Sequence, residues 1–202
     1  MQNQTRIIIE NVLPQLDGGV FAIKRIIGQK VRVTASVFSD GHDVIQCSVK
    51  FKHQSDKKWQ EIRMIPADND DWYCEFKVEK QGTYTYFVEG WVDYALNWQH
   101  GTERKIFDSQ QVKSELLEGA EYVKEILKVA SKEEKKYLDT VVKLFTTESE
   151  YDNGVREAIS HELTQIFKKY PMRFLANQSQ ELQVYVDREK ALFSTWYEFF
   201  PR

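Results

Sequence analysis

"ELQVYVDREKALFSTWYEFFPR", residues 181–202, opens as a strand: Leu182, Val184 and Val186 alternate with Gln183 and Tyr185. A period of two places the three aliphatic side chains on one face. The strand stands alone after a long helical stretch and has no neighbour of its own. It must therefore pair back into a sheet built by the first half of the chain, which makes the helices an insertion rather than a tail. The remainder of the quoted stretch carries five aromatics in its last ten positions, namely Phe193, Trp196, Tyr197, Phe199 and Phe200. Chain ends are usually polar, so these aromatics are expected to pack on something.

The first ~108 residues carry the same period of two. Val31, Val33, Ala35 and Val37 alternate with Arg32, Thr34 and Ser36. Ile45, Cys47, Val49 and Phe51 repeat the pattern, as do Trp72, Cys74, Phe76 and Val78. Strands with one wet face suit antiparallel sheets. Asp40-Gly41, the acidic "ADNDD" and Gln81-Gly82 supply turn signals between them. Short strands at roughly ten-residue spacing predict an immunoglobulin-like antiparallel β-sandwich.

From Ser109 the period lengthens. Leu116, Ala120, Val123, Leu127 and Ala130 follow a 4-3-4-3 spacing, one narrow helical stripe. Ser131 with Glu134 matches a capping box, and Leu138, Val141 and Phe145 form a second stripe. Asp152 or Asn153 is expected to cap a third helix, with Ile159, Leu163, Ile166 and Tyr170 inward, ended by Tyr170-Pro171. The fold class is thus α+β in two parts. Residues 1–108 with 180–192 form the sandwich, 109–179 an inserted three-helix domain, and 193–202 the start of a linker.

Composition limits the function. A chain of 202 residues that is 42% hydrophobic and 29% charged folds, and a net charge of −3 argues against a nucleic-acid partner. No apolar run reaches the ~20 residues of a membrane helix. The start, "MQNQTRIIIENV", reads as a strand rather than a secretory signal, so a cytoplasmic protein is expected, with Cys47 and Cys74 as buried thiols. His42 and Asp43, beside Asp40, read as a polar turn rather than a metal site, and His53, His100 and His161 stand singly. No nucleophile elbow, phosphate loop or paired Cys-x-x-Cys occurs. No catalytic residue, metal site or cofactor is expected. The aromatics of "YFVEGWVDYALNWQHG" leave two readings open: Trp91, Tyr94 and Trp98 stack on sugar rings of an α-glucan, or they fill a core or a domain interface.

Several stretches together resemble one family. "IENVLPQLDGGVFAIKRIIGQKV", "VFSDGHDVI", "GTYTYFVEGWVDYALNWQHGTERK", "ELLEGA" and "VYVDREKALFSTWYEFFPR" resemble, in order, the N-terminal region of bacterial alpha-1,4-glucan:maltose-1-phosphate maltosyltransferases. The resemblance implies a parent enzyme that moves maltosyl units from maltose 1-phosphate to an α-glucan in cytoplasmic glycogen synthesis. It also implies an alpha-amylase-type catalytic barrel following "WYEFFPR", which would hold both carboxylates of retaining chemistry. On that reading this chain is a noncatalytic scaffold whose partners are its own catalytic barrel and a second copy of itself. The residues expected to serve helix packing or the homodimer are Leu116, Val123, Leu127, Leu138, Val141, Phe145, Ile159, Leu163 and Ile166. The aromatics Trp196, Tyr197, Phe199 and Phe200 would pack against the barrel.

Overall fold

A computed structural model describes residues 6–41, 43–193 and 198–201. His42, Trp196 and Tyr197, about which the sequence raised expectations, lie outside the described residues. The chain divides into two compact units. One comprises Met1–Asp40, Gln46–Trp91 and Leu175–Arg202; the other comprises Gly41–Ile45 and Val92–Phe174.

The first unit is built from strands β1 (Ile7–Leu13), β2 (Ile23–Ile26), β3 (Lys30–Ser39), β4 (Ile45–His53), β5 (Gln60–Arg63), β6 (Ile65–Pro66), β7 (Asp71–Lys77), β8 (Gly82–Asp93), β9 (Arg173–Gln178) and β10 (Leu182–Asp187). They form a four-stranded sheet ordered β1-β3-β7-β6 and a six-stranded sheet ordered β2-β10-β8-β4-β5, with β9 paired to β8. Alternation decides what is buried. Val31, Val33, Ala35 and Val37 of β3 are all 2% exposed or less, while Arg32, Thr34 and Ser36 face outward. The apolar faces of the two sheets meet: Phe51 of β4 stacks on Phe76 of β7 with ring centroids 4.3 Å apart at 17°. Where strands approach closest, a side chain has no room. A Cβ on Gly90 would lie 2.8 Å from Ile7 Cγ2.

The strand over Leu182–Asp187 does pair back. β10 lies between β8 and β2 and buries Leu182, Val184 and Val186. It runs antiparallel to β8, with Val184 opposite Tyr84, and parallel to β2, with Val184 opposite Ile23. The parallel pair departs from the all-antiparallel expectation. A parallel neighbour needs a long crossover, and here most of the chain separates the two strands.

The second unit holds α1 (Tyr94–Phe107), α2 (Lys113–Leu127), α3 (Lys132–Thr146), α4 (Tyr151–Ala158) and α5 (His161–Lys169). Five helices replace the three expected, and the helical unit starts before residue 109. Residues 94–107 were expected in the sandwich, yet Asp93 caps a helix there by accepting from Leu96 N, and Ala95, Leu96, Trp98, Gln99 and Thr102 follow helical spacing inward. The third expected helix is broken at Ile159-Ser160. Ser160 accepts from Leu163 N and starts α5, while Asp152 and Asn153 lie within α4 rather than capping it. The Ser131–Glu134 capping box is formed. Its Glu134 also takes Lys169 Nζ at 2.7 Å and the Tyr170 hydroxyl at 2.6 Å. Those contacts, Lys169 first, then Ser131 and Tyr170, hold the carboxyl down at about 2.

Trp98 centres this unit. Its indole Nε1 donates to Glu115 O at 2.6 Å, and its ring meets Tyr122, Phe145 and Phe167 at centroid distances of 6.3, 5.7 and 6.0 Å. Gly119 exists to let the indole lie on α2: a Cβ there would sit 2.1 Å from Trp98 Cζ2. Gly119→Ala gains about 1 kcal/mol of helix propensity, but the pinned ring cannot retreat, and overpacking costs roughly 1–3 kcal/mol. The variant is therefore expected to unfold at lower urea concentration than wild type. A raised midpoint would show that the ring gives way.

Candidate functional site

The aromatic trio expected to hold glucan is drawn inward by the elements that carry it. Trp91, near the end of β8, is 0% exposed and lies under the Arg63 guanidinium, 4.4 Å from its ring centroid. Trp98 is 7% exposed in the helical core. Tyr94 is half-buried at the start of α1 and touches Phe174 at 4.5 Å. Stacking on a sugar needs an open ring face. The two buried indoles offer none, which removes them as polysaccharide contacts and leaves them as packing residues.

The helix-packing candidates divide in the same way. Leu116, Val123, Leu138, Val141, Phe145, Leu163 and Ile166 are all buried within the helical unit's own core. A buried side chain cannot also meet a second subunit. Leu127 is partly buried, and Ile159 is 40% exposed because it sits at the break between α4 and α5. Other exposed apolar side chains of this unit, Phe107, Leu117 and Val129, lie off the stripes and carry no periodic signal.

His53, Asp40 and Asp43 have structural partners. His53 is buried, with Nδ1 2.8 Å from Ser55 Oγ and accepting from Ser55 N, and Nε2 3.0 Å from Gln81 O, so the neutral Nε2–H tautomer satisfies all partners. Asp40 pairs with Arg6 at 3.1 Å, and Asp43 accepts from Asn97 Nδ2 at 3.0 Å. Among the described residues no group of three or more His, Cys, Asp or Glu side chains could hold a metal. Nor is any helix of the described residues long and apolar enough to cross a membrane. Cys47 and Cys74 are free and buried. Burial pushes the Cys74 thiol up to about 12, and burial, reinforced by Cys74, pushes Cys47 higher still. Neither is a nucleophile near neutral pH.

One concave surface has a mixed chemistry that the sequence reading did not single out. On the outer face of the four-stranded sheet a cavity of about 390 Å³ is lined by Asn11, Leu13, Arg32, Thr34, Ser36 and Tyr73, with Asp71 and Ala67 at its side. A β-bulge opens it. Glu10 pairs with Ser36 and Leu13 with Thr34, so Asn11 and Val12 together oppose Ala35. Asn11 takes a left-handed φ of 52° within the bulge. Its Nδ2 donates to Ser36 Oγ at 3.4 Å, and Ser36 Oγ donates to Asp71 Oδ1 at 2.8 Å. At the other end the Arg32 guanidinium lies 4.9 Å over the Tyr73 ring. The shift shows in which side chains are buried, Ile7 before the bulge and Val12, of opposite parity, within it.

Residues 5–188 match the family described as alpha-1,4-glucan:maltose-1-phosphate maltosyltransferase, domain N/S. The chain belongs to this family. Relatives bearing the name alpha-1,4-glucan:maltose-1-phosphate maltosyltransferase include proteins of Myxococcus xanthus, 35% identical over 97% of this chain, and Chlorobaculum tepidum, 34% identical over 98%. A third, from Methylacidiphilum infernorum, is 32% identical over 100% of the chain. The chain spans about three-tenths of the length of these relatives: 31%, 29% and 30% respectively. The N/S match covers the sheet unit and the helical insertion together, from before β1 through β10.

Thiol accessibility tests the packing of the sheet unit in this N/S domain. Ellman's reagent at pH 8 is expected to leave Cys47 and Cys74 unmodified over minutes in the native protein and to titrate both in guanidinium. Rapid native reaction at either thiol would contradict the buried placement.

Proposed function

We propose that this chain is a noncatalytic scaffold and dimerisation region of a maltosyltransferase that moves maltosyl units from maltose 1-phosphate to α-1,4-glucan in cytoplasmic glycogen synthesis. The observation that carries the reading is the N/S-domain match over residues 5–188, in a chain that spans about three-tenths of each relative. The two packed sheets are read as an immunoglobulin-like sandwich into which the helical unit is inserted. Two partners follow from this reading. One is a catalytic barrel of the same enzyme, to which Phe193, Phe199 and Phe200, each at least 78% exposed, offer apolar area. The other is a second copy of the chain, meeting it through surface apolar residues of the helices such as Leu127 and Ile159. The glucan reading based on Trp91, Tyr94 and Trp98 is set aside because both indoles are buried.

The purified chain, given maltose 1-phosphate and a maltooligosaccharide, is expected to release no phosphate, and in sedimentation velocity it is expected to run as a dimer at high micromolar concentration. Ile159→Lys should shift it toward monomer without unfolding it, because a charge there meets the partner and not the core. Leu138→Ala, by contrast, should cost about 2–5 kcal/mol of stability through a core cavity. Turnover by a clean preparation overturns the noncatalytic role. A monomeric wild type overturns the dimer.

A further inference from the structure

The turn between β1 and β2 reverses the usual arrangement of a surface loop. Connecting segments normally show polar side chains to water, but Leu16, Val20 and Phe21 are 52%, 74% and 58% exposed. Leu16 and Phe21 face each other as an isolated antiparallel bridge, and side chains directly opposite in such a pair project to the same side. The turn therefore carries a small apolar knob.

What the turn gives to the fold is its backbone. The Tyr86 hydroxyl donates to Pro14 O, and Gln180 Nε2 donates to Gly18 O at 2.9 Å. Gly19 lies so close to β10 that a Cβ there would sit 2.6 Å from Leu182 Cδ2. Asp17, Gly18 and Gly19 hold left-handed φ values of 51°, 65° and 89°. A turn anchored this way cannot roll its apolar side chains inward, so only a partner can take them out of water. Being ordered already, it loses little freedom when one does.

We propose that this turn is a seat for the catalytic part of the same enzyme, separate from the terminal phenylalanines. The inference rests on the maltosyltransferase reading and adds the surface through which the two parts meet. Position selects the occupant. The turn runs directly into β2, the last strand on its side of the six-stranded sheet among the described residues. β2 lies alongside β10, with Ile23 opposite Val184 and Ile26 opposite Asp187. Ile27 N donates to Asp187 O at 3.1 Å, and the short turn Glu189–Leu192 after β10 packs against β2. The chain thus leaves β10 along the strand that carries the apolar turn, and the greater part of each relative lies outside the matched stretch. Native folds commonly cover an edge strand such as β2. A body tethered this close reaches the turn at high effective concentration, an advantage that a second copy lacks.

The test sets the isolated chain beside the full-length enzyme that contains it. In both, Val20→Cys is alkylated with N-ethylmaleimide and the modified peptide is quantified by mass spectrometry; Cys47 and Cys74 are buried and do not compete. The new thiol is expected to react fast in the isolated chain and at least about tenfold more slowly in the full-length enzyme, the mark of a covered site. Phe21→p-benzoylphenylalanine, photolysed in the full-length enzyme, is expected to join the turn to a segment beyond residue 202 of the same chain, giving a product with the mass of one chain. Equal alkylation rates in the two proteins would overturn the seat. So would a cross-linked product of twice the mass, or alkylation of the isolated chain that slows as its concentration rises, since either places a second copy on the turn. These failures leave the noncatalytic reading standing, because phosphate release by the isolated chain tests that reading separately.

Discussion

The structure depends on one pairing: β10 laid between β8 and β2. Without it, β2 would lose its one strand neighbour in the sheet among the described residues, and Tyr84 and Tyr86 would lose the aliphatic residues opposite them. Burial of Leu182, Val184 and Val186 contributes roughly 1.5–3 kcal/mol each, a sizeable share of the net stability of ~5–15 kcal/mol typical of a folded protein. The same pairing makes the helices an insertion. Their two ends are tied to strands of one sheet, β8 before them and β9 and β10 after them.

That constraint separates the two units by the work each can do. The helical unit spends its apolar residues on itself. Trp98, Leu138, Phe145, Leu163 and Phe167 form one core, so little of the seam-like periodicity is left over for a partner. The sheet unit is different, because a sheet with one buried face has a second face to spare. On the four-stranded sheet that face carries a bulge, a hydrogen-bonded relay and a stacked Arg–Tyr pair instead of unstructured charge.

Much of the architecture was legible because alternation and capping are local. β3, β4, β7 and β10 show in the period-two runs, and the α3 start shows in Ser131 and Glu134. The misses have physical causes. Tyr94–Phe107 carries strand-like aromatics, and only the Asp93 cap and the inward Leu96, Trp98 and Gln99 reveal a helix. Ser160 was hidden inside a continuous stripe, since a helix break preserves much of the apolar spacing. Burial of Trp91 and Trp98 could not be read, because an aromatic suits a core and a binding face equally well. The groove went unseen because it joins β1, β3 and β7, residues far apart in sequence, through one bulge at Asn11.

The most direct test of the central claim, that the strand after the helices closes the sheet begun before them, is native-state hydrogen exchange at β10. The amides that β10 shares with β8 and β2 are expected to exchange only by global unfolding, as slowly as those of β3. Fast exchange along Leu182–Asp187 while β3 stays protected would show that the strand is not built into the sheet, and the helices would then be a tail and not an insertion.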